Sequence, residues 1–187
     1  MKLSAQFIKE NDVGNALKEA KAKGDIKFDS VDSTYYAIKV GVGLKNGFGG
    51  YVAYSQTGSD SNNPEGASIL NMWGSTIGFT NGMVSHHEFY ADTTTLKYAL
   101  SYNFKNLGVK AKASVYYCDF DLGKDNPYVN GAMWHDKESG FGIKYWPSKV
   151  KGLQLRLRGN FPKDFKYYKD KENLNWDEYR LIVNYNF

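Results

Sequence analysis

Apolar and polar residues alternate with a period of two along most of the chain. The clearest case is the C-terminal end, where one face consists of Tyr179, Leu181, Val183, Tyr185 and Phe187 and the other face is mostly polar. Successive side chains of a β-strand point to opposite faces, whereas a helix repeats every 3.6 residues. The alternation therefore predicts half-buried β-strands and an all-β fold.

Eight segments carry this pattern, and their connections alternate in length. The predicted strands are 2–9, 36–44, 48–56, 96–104, 109–117, 141–146, 153–158 and 179–187. Short connections with turn-forming residues follow every second strand, at 45–47, 105–108 and 147–152. The other connections are long and polar, and the first of them, 11–34, contains a predicted helix at 15–23.

This asymmetry is typical of an outer-membrane barrel, which has short turns on one rim and long external loops on the other. We expect one β-barrel domain spanning 1–187, with long external loops at 57–93, 119–138 and 162–177. A soluble antiparallel barrel shows the same alternation with its apolar face inside. Alternation alone leaves both interpretations open.

Composition narrows the classes of protein further. The 187 residues contain no apolar run near the ~18 residues that a transmembrane helix needs. The mean hydropathy of −0.56 does not exclude a membrane barrel, because half of each barrel strand is polar. The single Cys118 excludes a disulfide framework, and the net charge of +4 is too small to indicate nucleic-acid binding. The first residues show no signal peptide.

The closing segments resemble a known family. The runs GFGIKY at 140–145, KGLQLRLR at 151–158 and DEYRLIVNY at 177–185 resemble the last strands of OprD-type substrate-specific porins and of the related major porins of epsilon-proteobacteria. The resemblance is specific over 137–187 and mainly topological over 34–117. It implies an antiparallel transmembrane β-barrel of about eighteen strands. The chain, with about eight, is then expected to be the C-terminal part of a larger, N-terminally truncated porin whose signal peptide is not in this chain.

The resemblance also implies partners and a location. A final strand with Tyr179, Leu181, Val183, Tyr185 and Phe187 on one face looks like the assembly signal of bacterial outer-membrane proteins. We therefore expect the bacterial outer membrane as the location, and its lipid and its barrel-assembly machinery as partners. Family members narrow their pore with an inward-folded loop from the N-terminal half, which is expected to be missing here.

If the apolar face meets lipid, the polar face lines the lumen. The predicted pore-lining residues are Lys39, Lys97, Lys110, Lys112, Lys144, Arg156, Arg158, Arg180 and Glu178. Glu178 is the only acid expected within the strands. A one-sided set of cations in a narrow aqueous passage favours anions, and the family is thought to guide carboxylates such as amino acids. The expected function is passive diffusion of small hydrophilic solutes, with Arg156 and Arg158, one strand away from Arg180, as the best candidates for a bidentate carboxylate contact. Neutralisation of acids elsewhere in the barrel is the alternative role.

Other candidate residues give weaker indications of function. The run His86-His87-Glu88 is interpreted as part of a solvated loop, Cys118 as a structural thiol, and no arrangement for catalysis, metal or cofactor binding is visible. Aromatic and basic residues occupy opposite faces, which disfavours a nucleic-acid groove. Homo-oligomerisation stays open. The alternative functions are a small eight-strand outer-membrane anchor or adhesin, and a soluble β-barrel that binds an apolar ligand.

Overall fold

Most of the strands form one open antiparallel sheet in the computed structural model, which describes residues 1–12, 14–70, 77–129, 131–166 and 173–186. The strands are β1 (Lys2–Asn11), β2 (Asp32–Gly43), β3 (Phe48–Thr57), β4 (Thr93–Asn103), β5 (Ala111–Leu122), β6 (Trp134–Tyr145), β7 (Leu153–Lys163), β8 (Phe165–Lys166), β9 (Asn173–Leu174) and β10 (Glu178–Tyr185). Eight of them pair in the order β1-β2-β3-β4-β5-β6-β7-β10, and β8 pairs with β9 in a separate hairpin. Within the described sheet, β1 and β10 are each paired on one side only.

The expected eight antiparallel strands are thus confirmed, as is the helix in the first long connection. That helix, α1, spans Ala16–Lys23, and a single turn, α2, spans Pro64–Ala67. Two short 3₁₀ helices occupy His87–Phe89 and Phe104–Leu107. No helix in the described part of the chain is long and apolar enough to cross a membrane.

The two faces of the sheet differ in what covers them. We call the face that carries Lys39, Lys97, Tyr116 and Glu138 the inner face, because a long connection packs against it; the opposite one is the outer face. At the turn end of the sheet, where the short connections lie, the outer face is a band of exposed apolar side chains. The band includes Tyr36, Ile38, Val40, Val42, Val52, Tyr98, Leu100, Val115, Tyr117, Ile143, Tyr145, Leu157, Tyr179, Leu181, Val183 and Tyr185.

The polarity of the strands reverses at the opposite, loop end. On β5, the outward positions after Tyr117 are Asp119 and Asp121, whereas the inward Phe120 and Leu122 are fully buried. The loop end therefore has an ordinary hydrophobic core on the inner face, covered by the long connections. One cluster centres on Tyr35 and Phe89 and the other on residues 116–122.

This reversal explains where the predicted strand bounds were wrong. β2, β4, β5, β6 and β7 extend further toward the loop end than the apolar-outward alternation indicates. Beyond the apolar band, outward residues meet water and inward residues meet the core, so the pattern that marked the strands inverts. The connection predicted at 119–138 is correspondingly shorter, and the one predicted at 162–177 contains β8 and β9.

The predicted assembly signal lies on β10. Its residues Tyr179, Leu181, Val183 and Tyr185 all belong to the exposed outer face, and Phe187 lies outside the described residues.

Candidate functional site

A cleft of about 800 Å³ lies on the inner face at the turn end. Eight basic residues line it, namely Lys2, Lys39, Lys45, Lys97, Lys105, Lys112, Lys144 and Arg156. No Asp or Glu belongs to its described lining. We call it the central cleft. Its wall is therefore a one-sided array of positive charge, with Ser4, Ser101 and Ser114 as polar neighbours.

The strand register sets these bases side by side. Lys112 of β5 lies opposite Lys144 of β6, and Lys144 lies opposite Arg156 of β7. In the next inward row, Arg158 of β7 lies opposite Arg180 of β10. Like charges directly opposite each other on one face of a sheet are destabilising. Such rows are tolerated where water or anions occupy the space in front of them.

The predicted pore-lining residues are distributed over the site as follows. Lys39, Lys97, Lys112, Lys144 and Arg156 line the central cleft. Arg158, Arg180 and Glu178 occupy inward positions on β7 and β10 outside its lining, and the Glu178 carboxylate accepts a hydrogen bond from Arg180. Lys110 lies in the turn before β5 and not in the strand.

A segment of the β3–β4 connection crosses the inner face beside the cleft. We call residues 77–89 the inner segment. It contacts successive strands from one side of the sheet to the other. The Gln6 amide of β1 donates to the Ile77 carbonyl at 2.9 Å, and the Lys39 Nζ of β2 lies 4.0 Å from the centre of the Phe79 ring.

Contacts further along the inner segment reach β7. Ser55 and Thr80 share a hydrogen bond of 2.6 Å between their hydroxyls, and Lys97 Nζ donates to the Asn81 carbonyl at 2.5 Å. The Arg158 Nε atom lies 2.9 Å from the Met83 sulfur. The inner segment therefore spans the sheet from β1 to β7. It covers part of the inner face that would otherwise be in contact with water. An external connection is predicted at 57–93; the structure places this part of it against the inner face.

Glu138 of β6 fastens the inner segment. Its carboxylate accepts hydrogen bonds from the backbone N–H groups of Met83 (2.5 Å) and Ser85 (2.9 Å) and from the Ser85 hydroxyl (2.5 Å). The Tyr116 hydroxyl donates to the same carboxylate. Glu138 is fully buried, and charge-assisted bonds of this kind are the strong ones. One acid therefore sets the position of the segment's centre.

Two more acids are fully buried nearby, Asp136 on β6 and Glu88 in the inner segment itself. The His87 Nδ1 atom is 2.6 Å from a carboxylate oxygen of Asp136, and the His87 ring packs against Tyr128 and Phe165. Glu88 is fully buried, and neither of its carboxyl oxygens has a hydrogen-bond partner among the described residues. Burial raises the pKa of the Glu88 carboxyl well above its ordinary value.

These observations correct two predictions. The run His86-His87-Glu88 is not a solvated loop: His86 is exposed, but the next two residues are buried. Glu178 is not the only acid within the strands, because Glu138 and Asp136 occupy inward positions of β6. The period-two register of Lys144, Gly142 and Gly140 leads directly back to both acids, and the shorter predicted strand ended before reaching them. The cleft residues Lys2, Lys45 and Lys105 were also missed.

Comparison with known proteins supports the fold. No family model and no curated protein matches the chain. Over 99% of its length, however, the chain is similar to the crystal structure of Pseudomonas aeruginosa OccK10 (OpdN), an OprD-family porin, with a TM-score of 0.66 at 19% sequence identity. The chain has an OprD-like fold. It spans about half of the solved structure, since the match covers 48% of OccK10.

Proposed function

We propose that the chain forms part of a passive diffusion channel in a bacterial outer membrane, with a basic wall that favours anions and carboxylates over cations. Amino acids and organic acids are the proposed solutes, and the channel performs no covalent chemistry. The lipid-facing surface is the outer apolar band, and the solute-facing surface is the central cleft. The barrel-assembly machinery, through β10, is the proposed partner in insertion.

The observation that carries this proposal is the arrangement of polarity at the turn end. Large apolar side chains such as Leu181 and Val183 are exposed on the outer face while Lys112, Lys144 and Arg156 lie on the inner face. A soluble barrel requires the reverse, since its core is inside. A charge on the lipid face near the bilayer midplane costs about 2–4 kcal/mol, so a membrane barrel must turn its bases inward.

The anion preference rests on the bases of the central cleft, whose described lining contains no acid to neutralise them. Eight basic residues belong to that lining. Arg156 lines the cleft, and its Nε atom has no hydrogen-bond partner within the described chain. An arginine fork matches the geometry of a carboxylate, so Arg156 is the proposed point of contact, with Arg158 and Arg180 continuing the positive wall. The inner segment narrows the passage at this level.

The test is the charge selectivity of the full-length protein in planar bilayers. The triple variant R156Q/R158Q/R180Q is expected to move the reversal potential in a KCl gradient toward cation preference by several-fold in permeability ratio. The matched control is K18Q/K21Q/K23Q, which removes three charges from α1 at the loop end and is expected to leave the potential unchanged. Equal potentials for wild type and the arginine variant would show that these residues are structural. Failure to partition into detergent or membranes would instead favour a soluble barrel.

A further inference from the structure

A second cleft, of about 740 Å³, opens at the turn end between the start of β5, the β6–β7 turn and the end of β10. It shares none of its described lining residues with the central cleft. We call it the rim cleft. It is built by local hydrogen bonds: Trp146 N donates to the Lys110 carbonyl at 2.9 Å, and Asn186 N donates to the Gly152 carbonyl at 3.0 Å. These bonds fix the turn against its two neighbours.

Gly152 makes the approach of the turn to β10 feasible. Its φ is +80°, a left-handed conformation that other residues rarely adopt, and a Cβ atom there would collide with the Asn186 carbonyl. The preceding residue, Lys151, is thereby held near the end of β10, and both Lys151 and Lys110 line the rim cleft.

The rim cleft combines two chemistries. Lys110, Lys151 and the Ser148 hydroxyl supply cationic and hydrogen-bonding groups. Leu153, Val183 and Tyr185 supply an apolar wall, and the last two are 62% and 50% exposed on the outer face. That wall is continuous with the apolar band. A ligand that fits needs an anionic head and an apolar tail.

The charge of the turn end has the same sign throughout. The three turns 44–47, 104–110 and 146–152 contain Lys45, Lys105, Lys110, Lys149 and Lys151 and no Asp or Glu. Exposed apolar residues lie beside these lysines, for example Leu44, Leu107 and Val150. Basic residues interleaved with apolar ones at a membrane boundary attract anionic lipid.

We propose that the rim cleft binds the headgroup of an anionic phospholipid, with the phosphate between Lys110 and Lys151 and the acyl chains along Leu153, Val183 and Tyr185. The site rests on the proposed function insofar as it needs the apolar band to face lipid. A free solute anion has no apolar tail to pack against this wall. Such an anion is instead expected to bind the basic residues of the central cleft. The location of Lys110 in the turn accords with this role and not with a place in the central cleft.

Trp146, which lines the rim cleft, reports on the bound lipid. In the full-length protein with every tryptophan except Trp146 replaced by Phe, including Trp73, Trp134 and Trp176 of this chain, its fluorescence is measured in vesicles of phosphatidylcholine and phosphatidylglycerol, with bromine on the chains of one lipid at a time. We expect phosphatidylglycerol to occupy the site over phosphatidylcholine by a factor of about five or more, since each lysine near an anionic surface contributes about fivefold. In K110Q/K151Q the ratio is expected to fall to near one.

The matched control is K105Q/K112Q, which removes two lysines at the same end that line the central cleft. Its lipid ratio is expected to remain that of the parent. An equal loss in both double variants would overturn the site in favour of diffuse attraction. Equal quenching by both lipids would overturn the site and leave the channel proposal standing. Absence of quenching by either lipid, with no flotation on vesicles, would overturn both.

A second measurement avoids the tryptophan replacements. Native mass spectrometry of the protein released from phosphatidylglycerol nanodiscs counts the lipids that remain bound. We expect at least one retained phosphatidylglycerol in wild type and in K105Q/K112Q, and its loss in K110Q/K151Q. Retention in K110Q/K151Q would contradict the proposal.

Discussion

Glu88, in the inner segment, is fully buried, and its carboxyl oxygens have no hydrogen-bond partner among the described residues. Three charged groups face it from the strands: Lys97 of β4 favours its ionised form, and Glu138 and Asp136 of β6 oppose it. Desolvation outweighs these charges, so the folded protein holds a proton on Glu88 at a pH where the unfolded chain has released it. Glu88 is therefore a pH-dependent weak point within the inner segment.

The sign of the effect follows from proton linkage. An exposed Glu titrates near a pKa of about 4.3, and the folded-state pKa of Glu88 is higher. The folded form binds the extra proton between these two pKa values, so stability falls as the pH rises through that window. In hydrogen exchange corrected for intrinsic rates, we expect the 77–89 amides to lose protection from pH 5 to pH 7.5.

The variant E88Q cannot titrate at this position. We expect the hydrogen-exchange protection of its 77–89 amides to change less between pH 5 and pH 7.5 than in wild type. The control E19Q, on the exposed surface of α1, is expected to behave as wild type. An unchanged pH dependence in E88Q would show that Glu88 does not cause the effect.

At the scale of elements, the inner segment is held mainly by one carboxylate. Replacing Glu138 with Gln removes the charge from at least four hydrogen bonds and turns an amide donor toward the backbone N–H groups of the segment. Hydrogen bonds to charged groups contribute about 1.5–3 kcal/mol each. We expect E138Q to loosen the segment and to raise single-channel conductance, with more frequent transitions between conductance levels.

The matched control for this experiment is E178Q. It removes the same charge from the inner face, at a residue that bonds Arg180 and not the inner segment. If lumen charge alone sets the conductance, E138Q and E178Q should change it by the same amount. That result would contradict the role of Glu138 in holding the inner segment.

The strands show how much of the fold can be predicted from the sequence. Alternation predicted all eight strands of the sheet, because the apolar band imposes one rule on every outward residue of the turn end. It could not predict the loop-end extensions, where Phe120 points inward and Asp119 outward. Alternation could not predict the path of the inner segment either, since that path depends on contacts that Ser55, Lys97 and Glu138 make with it from distant parts of the chain. The alternation of apolar and polar residues indicates on which face of the sheet a side chain lies. It does not indicate which loop packs against that face.

At the scale of the whole molecule, the two edges of the sheet indicate whether this chain can form a complete barrel alone. Within the described sheet, β1 and β10 each leave one side unpaired. If the sheet spans a bilayer as proposed, both edges need partner strands, because unpaired backbone groups are costly there. Closing β1 onto β10 within one copy would give an eight-strand barrel, whose interior is just wide enough for its own side chains. The inner segment already lies on that interior face, so such closure would have to expel it.

We therefore predict that further strands complete the barrel, in agreement with a match that covers 48% of OccK10. Residues 1–187 refolded alone in detergent are expected to exchange the amides of β1 and β10 rapidly and those of β4 and β5 slowly, because only the latter are paired on both sides. As a monomer this chain should form no stable channel in planar bilayers. In the full-length protein, both edge strands should be as protected as β4. A monomeric 1–187 species that conducts ions and protects β1 and β10 would show that eight strands suffice, and the inner segment would then lie outside the barrel.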